Sequence, residues 1–363
     1  MKLDLKERNR SGSDFAVKTL IRVSSFLVRS IPANRSVLGR LKGFCAERSS
    51  RLRGHELDFS FYCHRPRLRW SASAFPDLLT RSMLFWGTYD EDVLVALDHL
   101  IRRGDVVFDV GGHHGLMTVV AARATGRDGL VVTFEPNPYA REQILKNAAL
   151  NGVDNFVLEE IALSDTRGDI AFHVQTGDVS WNSTFIDGYI ADENHQAVGR
   201  ITVKTQTLDG YVAATRRVPR VIKIDTEGSE LRILRGADDT LRNERPLVIM
   251  EINPRATEAA NTEISDLLAF WSDRSYTLLT PVANYLGHYT FRNLEPFDEA
   301  RHARFGKGYA NVICVPKEKA FIFGVRRPGQ QRDETGPASL NRATATIASR
   351  IRRDRRLGHG QQR

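Results

Sequence analysis

Five short runs of apolar residues, each followed by a stretch of helical length, restrict this chain to a parallel α/β sheet. The runs are DVVFDV (105–110), LVVTFEP (130–136), NFVLEEIAL (155–163), VPRVIKIDTEG (218–228) and RPLVIMEI (245–252). They are nearly continuous rather than alternating, as strands become when helices cover both sheet faces. The intervening segments predict helices over 117–124, 139–152, 229–243 and 256–275. Strands alternating with helices of this length specify a Rossmann-like, doubly wound, mostly parallel sheet. After residue 275 the pattern changes. YTLLTP, HYTFRN and YANVICVPK are strand-like without a long helix between the first two, and predict antiparallel strands at one edge. IAFHV and RITVKTQTL predict a strand pair around a polar loop, and residues 53–70 predict a strand pair or an extended arm. Asp90, ahead of EDVLVALDHLI, is a candidate N-cap.

Charge divides the chain into three regions. Residues 1–53 carry 13 Lys/Arg against 4 Asp/Glu, and residues 326–363 carry 10 against 3. With a net charge of +8 over all 363 residues, the body 54–325 is left at −8. The expected organisation is a basic amphipathic N-terminal helical extension (1–53), one catalytic-sized domain (54–325) and a disordered basic tail (326–363). An acidic body argues against a nucleic-acid partner, whose binding surface would need a positive stripe on the folded domain. Residues 15–31 are apolar but broken by Lys18, Arg22 and Arg29, which argues against a membrane span or a secretion signal. They read as an amphipathic helix, packed on the domain or weakly attached to anionic lipid. Three dispersed cysteines, Cys45, Cys63 and Cys314, form no disulfide or zinc framework and fit a cytoplasmic protein, free or peripheral to the inner face of the membrane.

VVFDVGGHHGLMT carries the chemistry of the first strand end. Asp109 ends a buried strand, Gly111, Gly112 and Gly115 turn it, and a helix follows. Glycines allow backbone to approach a ligand closely, and helix N–H groups face whatever lies there. The dinucleotide fingerprint GxGxxG would need glycine at 111, 113 and 116, where the chain has His113 and Leu116 at the last two, so a nicotinamide enzyme is disfavoured. Asp109 suits an ammonium group. Glu135 ends the second strand, where an acid hydrogen-bonds a ribose diol in this architecture. Pro136 and Asn137 then open the next helix. One acid for an amino-acid end and one for a ribose match the two polar ends of S-adenosylmethionine. The third strand tip, around Ala162, is expected beside the adenine, with Ser164 either a contact or a local cap. At the fourth strand tip Asp225 and Glu227 are candidates to accept a proton from a hydroxyl, to hold the acceptor, or to bind a divalent cation. Lys223 is a candidate ion-pair partner for an acid. His113 and His114 are alternative bases or fillers of the turn. Trp181, Asn182, Ser183 and Thr184 are either a sugar-stacking loop or an ordinary exposed one.

These motifs resemble the FkbM-type methyltransferases over residues 85–316, through GTYDEDV, GDVVFDVGGHHGLMTVVAA, VVTFEPNP, TLDGYV and VIKIDTEGSELRILRGADDTLRNERPLVIMEI. The chain departs from that pattern at Gly112, His113-His114 and Asp90. The resemblance implies a class I methyltransferase fold, S-adenosylmethionine as cofactor, and O-methylation of a small molecule, glycan or glycolipid intermediate. Two rivals remain on the same fold: a catalytically silent binding module, and a methyltransferase acting on RNA or protein. The first is disfavoured by the intact acids at 109, 135 and 225, the second by the acidic body.

Overall fold

The computed structural model describes residues 57–62, 67–72, 79, 83, 89–174, 199–283, 289–301 and 308–323. The expected helix over 15–31, the residues 181–184 and the tail from 326 lie outside them. The chain divides into a unit ending at Lys319 and a second beginning at Ala320. Of the second, only residues 320–323 are described; they end a short 3-10 helix. No helix among the described residues is long and apolar enough to cross a membrane.

An eight-stranded sheet forms the centre of the first unit. Its parallel part consists of β3 (Val106–Val110), β4 (Leu130–Phe134), β5 (Phe156–Glu159), β9 (Val221–Ile224) and β10 (Leu247–Ile252). The antiparallel edge consists of β11 (Tyr276–Ala283), β12 (Tyr289–Pro296) and β13 (Ala310–Pro316). The order across the sheet is β12-β11-β13-β10-β9-β3-β4-β5. The chain therefore winds outward from β3 through β4 to β5, then crosses back to lay β9 on the other side of β3. That reversal opens a crevice beyond the C-terminal ends of β3 and β9.

Alternation along each strand separates two faces. Phe108, Val110, Ile222, Ile224, Val248 and Met250 point into the main core and are almost fully buried. The opposite face carries Asp109, in register with Lys223 on β9 and Thr133 on β4. Helix α1 (Glu91–Leu100) precedes β3. Helix α2 (Leu116–Thr125) follows it and brings Thr118 onto this polar row.

Several elements differ from the expectations. The third run is not one strand: β5 stops at Glu159, and β6 (Ala162–Leu163) joins β7 (Gly168–Val174) and β8 (Gly199–Gln206) in a separate three-stranded sheet, with β7 and β8 antiparallel. Residues 229–243 form two helices, α5 (Glu230–Arg235) and α6 (Asp238–Asn243), preceded by α4 (Leu208–Thr215). The break falls at Gly236, where an added Cβ would lie 2.1 Å from the Ser164 carbonyl oxygen. That close approach stops a regular helix. Residues 254–275 also split, into α7 (Pro254–Ala259) and α8 (Ile264–Asp273). Asn261 takes a positive φ of 52°, and Glu263 with Asp266 forms a capping box that starts the second piece. Between β4 and β5 lies α3 (Pro138–Leu150). The strand pair at the start is β1 (Leu57–Tyr62) with β2 (Arg67–Ala72), antiparallel. Asn151 and Asn147 of α3 accept hydrogen bonds from the backbone N–H groups of Arg69 and Ser71 and so fix β2 against the helix.

Candidate active site at the switch point

A cleft of about 460 Å³ occupies the crevice. It is lined by the turn after β3 and by the strand ends of β4, β9 and β10. Gly111, Gly112, His113, Glu135, Asn137, Ala162, Asp225 and Glu227 all line it, as does Lys223. Asp109 and Gly115 do not.

The turn fits its position tightly. Gly111 has φ 83°, and an added Cβ would meet the Asp225 carbonyl oxygen at 2.0 Å. Any side chain would push β3 and β9 apart where they must be adjacent. Gly115, also at positive φ, starts α2 instead of facing the cleft. His113 and His114 stack with ring centroids 3.9 Å apart. Burial holds the His113 imidazole well below its usual range, with His114 and Lys223 adding to the effect. It is therefore neutral at physiological pH.

Glu135 is buried and accepts two backbone hydrogen bonds, from His113 N–H at 2.7 Å and Asn137 N–H at 2.9 Å. Burial pushes its pKa up to about 7, against the downward pull of those two bonds. Asn137 caps α3 by accepting from Tyr139 N–H at 3.0 Å. Ser164 donates to Asp165 at 3.0 Å, a local pair.

Asp109 differs from its expected placement. Its carboxylate lies behind the cleft, about 1% exposed, because it falls on the strand face covered by α2. The Thr118 hydroxyl donates to Oδ2 at 2.6 Å. Oδ1 has no hydrogen bond; Lys223 Nζ stands 3.7 Å away, an ionic contact too long for one. Burial raises the Asp109 pKa, opposed by Lys223 and Thr118. Lys223 joins the two sides of the turn. Its Nζ donates to the Gly111 carbonyl at 3.0 Å and pairs with Asp225 at 3.2 Å. Burial works against its charge, but Asp225 and Asp109 outweigh it and raise its pKa.

Removing Lys223 leaves Asp109 as an uncompensated buried acid. Breaking such a pair costs about 3–5 kcal/mol. Lys223→Met should fall at the low end, because Asp109 can take up a proton. Denaturant unfolding should show the loss, and Asp109→Asn in the same chain should recover part of it. Equal stability of Lys223→Met and parent would contradict the buried pairing.

Strand β10 contributes residues that the sequence reading did not assign. Glu251 is its penultimate residue, and one carboxylate oxygen from each of Asp225, Glu227 and Glu251 lies within 4.8 Å of the others. Glu227 holds its place in a left-handed backbone conformation, φ 54°. Burial raises the Glu251 pKa well above the usual range, and Asp225, Glu227 and Asp90 raise it further. The spacing also admits a divalent cation. Asn253 and Arg255 follow at the start of α7; Tyr89, Asp90 and Tyr309 complete this wall. Asp90 stands at the N-cap of α1 as expected, but in a left-handed conformation and with no side-chain capping bond. Glu251 was visible as an acid closing an apolar run. Nothing in the sequence marks Arg255.

Strand order, switch point and glycine turn together make this a Rossmann-like, doubly wound sheet with an antiparallel edge. Residues 109–278, a little under half of the chain, match the methyltransferase FkbM domain. It is 27% identical over 165 residues to hexuronic acid methyltransferase AglP of Haloferax volcanii, covering 45% of this chain and 62% of that protein. It is 31% identical over 121 residues to 2-O-methyltransferase NoeI of Sinorhizobium fredii, covering 31% and 49%. The chain thus spans about half to three fifths of these relatives. A crystal structure of methyltransferase FkbM from Methylobacillus flagellatus aligns at 13% identity and TM-score 0.34, over 58% of this chain and 43% of that one.

Proposed function

We propose that this protein is an S-adenosylmethionine-dependent O-methyltransferase acting on a sugar hydroxyl of a glycan or glycolipid. The observation that carries the reading is the pair of acids flanking the turn: Glu135 at the end of β4 and Asp225 at the end of β9, on either side of β3. The two relatives, a hexuronic acid methyltransferase and a 2-O-methyltransferase, support the acceptor class.

The residues present fit the cofactor. Glu135 is a buried carboxylate that accepts hydrogen bonds from two backbone N–H groups. Each oxygen retains a lone pair, and a ribose diol offers two O–H donors to fill them. The side-chain-free turn at Gly111 and Gly112 lets backbone approach the methionine part. Asn137 and Ala162 line the side where the nucleoside would lie. S-adenosylmethionine brings an already activated methyl group, so the protein needs to position the acceptor and remove its proton. Asp225 accepts that proton as the hydroxyl oxygen is methylated. Lys223 holds Asp225 in place and, through the Gly111 carbonyl and Asp109, ties it to the turn. Asp109 is then a positioning residue acting through Lys223. Glu227 orients the acceptor. Calorimetry with S-adenosylmethionine, followed by mass spectrometry of glycan and lipid extracts incubated with labelled donor, tests the reading. Absence of cofactor binding by the full chain would sink it.

The tail 326–363 is proposed to be dispensable, since its Arg-, Gln- and Gly-rich composition cannot bury enough apolar surface to fold alone. A chain ending at Val325 should keep parental turnover. A truncated protein with unchanged melting temperature and no activity would contradict this.

A further inference from the structure

The cleft contains three residues able to carry positive charge, and they are in different states. His113 is held neutral by burial. Lys223 is buried and engaged with Asp225 and Asp109. Arg255 is exposed, lines the cleft, and among the described residues has no carboxylate within 4.0 Å of its guanidinium. Five acids share the cleft lining: Glu135 at the end of β4, and Asp90, Asp225, Glu227 and Glu251 on the opposite side. An arginine serving to balance their charge would pair with one of them. Other arginines on this unit do so, as Arg141 with Glu160 and Arg245 with Glu318 show. Arg255 is left with its fork unused at the cleft that the strand ends open.

Its backbone is fixed even though its side chain is exposed. Arg255 N–H donates to Asn253 Oδ1 at 3.2 Å, and Ala256 N–H reaches the same oxygen, so residue 255 sits at a capped helix start directly beyond β10. Strand order sets which part of the cleft it serves. Running β4-β3-β9-β10, Glu135 stands on one side of β3, Asp225 on the other, and Arg255 one strand further out. On the reading proposed above, the nucleoside takes the β4 side and the acceptor the β9–β10 side. A guanidinium is a planar, permanently charged fork that matches carboxylate and phosphate oxygens in pairs.

We propose that Arg255 selects an acceptor carrying an oxyanion, a carboxylate or phosphate ester on the sugar that is methylated. The acidic wall does not forbid such a ligand. Lys223 compensates Asp225 at 3.2 Å, and the donor's sulfonium, on that same reading, adds positive charge at the centre. The remaining unpaired charge facing an acceptor from α7 is that of Arg255. Asp225 then takes the proton of a hydroxyl on the same ring that Arg255 holds by its oxyanion.

The test uses the full chain saturated with S-adenosylhomocysteine, so that binding is read without turnover. Methyl glucuronide and methyl galacturonide supply the carboxylate, glucose 6-phosphate and galactose 6-phosphate the phosphate, and the methyl glycosides of glucose and galactose are the neutral references. At least one charged sugar should bind about tenfold or more tighter than its neutral counterpart, and which arm responds identifies the oxyanion. Arg255→Gln should erase that preference and leave S-adenosylhomocysteine affinity unchanged, while Arg255→Lys, which keeps the charge without the fork, should restore part of it. Equal binding of charged and neutral sugars, including no binding of either, overturns the proposal. So does a preference that survives Arg255→Gln. A tenfold loss of S-adenosylhomocysteine affinity in Arg255→Gln overturns it too, by assigning the arginine to the cofactor's own carboxylate. Failure of the parent chain to bind S-adenosylhomocysteine at all would instead sink the methyltransferase reading, which keeps the two failures apart.

Discussion

Asp225→Asn is expected to lower turnover by about 10²–10⁴-fold, the range lost with a general base, while S-adenosylmethionine binds with nearly parental affinity. A sugar hydroxyl is a weak acid, so its proton must be taken as the new bond to carbon forms, by a group within about 2.6–3.2 Å. Asp225 ends the strand that lies beside the glycine turn, half-open to the cleft and paired with Lys223. Asparagine keeps its shape and removes its basicity. Lys223 retains Asp109 and the Gly111 carbonyl as partners, so the turn should survive the substitution. Single-turnover measurement with bound cofactor separates the two effects. Parental turnover in the variant, or a defect confined to cofactor affinity, would remove Asp225 from the transfer step. Chelator added to the parent enzyme is the companion experiment. Unchanged turnover leaves the carboxylates acting directly, whereas lost activity restored by a divalent cation assigns Asp225, Glu227 and Glu251 to a metal.

The parts of this site that were legible in the sequence are those fixed by position along one strand. Glu135 and Asp225 stand just beyond short apolar runs, and the end of a parallel strand is where an open sheet binds its ligand. The glycines at 111 and 112 were legible for the same reason. What the sequence did not disclose depends on neighbours. Asp109 is one residue short of Val110, and that single step turns its carboxylate toward α2 and Thr118 instead of the cleft. Its register with Lys223 and Thr133 follows only from knowing that β9 and β4 flank β3. Glu251 and Arg255 acquire meaning only because β10 lies beside β9. The run 155–163 reads as one strand, yet its last two residues pair with β8 in another sheet, a choice made by a partner forty residues away. Gly236 breaks a helix that local propensity would continue, because the Ser164 carbonyl occupies the space a side chain would need.

Glu135→Ala should weaken S-adenosylmethionine binding by about 3–6 kcal/mol if two ribose hydroxyls each lose a hydrogen bond to a charged acceptor, at about 1.5–3 kcal/mol apiece. That amounts to roughly 10²–10⁴-fold in affinity. The carboxylate also gives the binding a pH signature. In the free protein Glu135 is raised from the ordinary carboxylate value to about 7, with burial the first cause. A raised acid favours the folded state in its protonated form. Its contribution is therefore complete below the unfolded pKa and lost as pH rises through about 7. Two ribose hydroxyls can donate one to each oxygen only when the carboxylate is ionised, so cofactor binding reverses the preference and expels the proton. Affinity should level off above about pH 8 and fall by up to tenfold per unit well below pH 7, with about half a proton released on binding at pH 7 and nearly one at pH 6. Calorimetry at pH 6 and 8, in buffers of different ionisation heat, reads both quantities. The cofactor's own amine also titrates in this range, so Glu135→Gln is the decisive comparison. If the glutamine variant keeps the same pH dependence and proton release, Glu135 is not the group that ribose binding deprotonates. If Glu135→Ala, correctly folded, binds as tightly as the parent, the ribose assignment itself is lost.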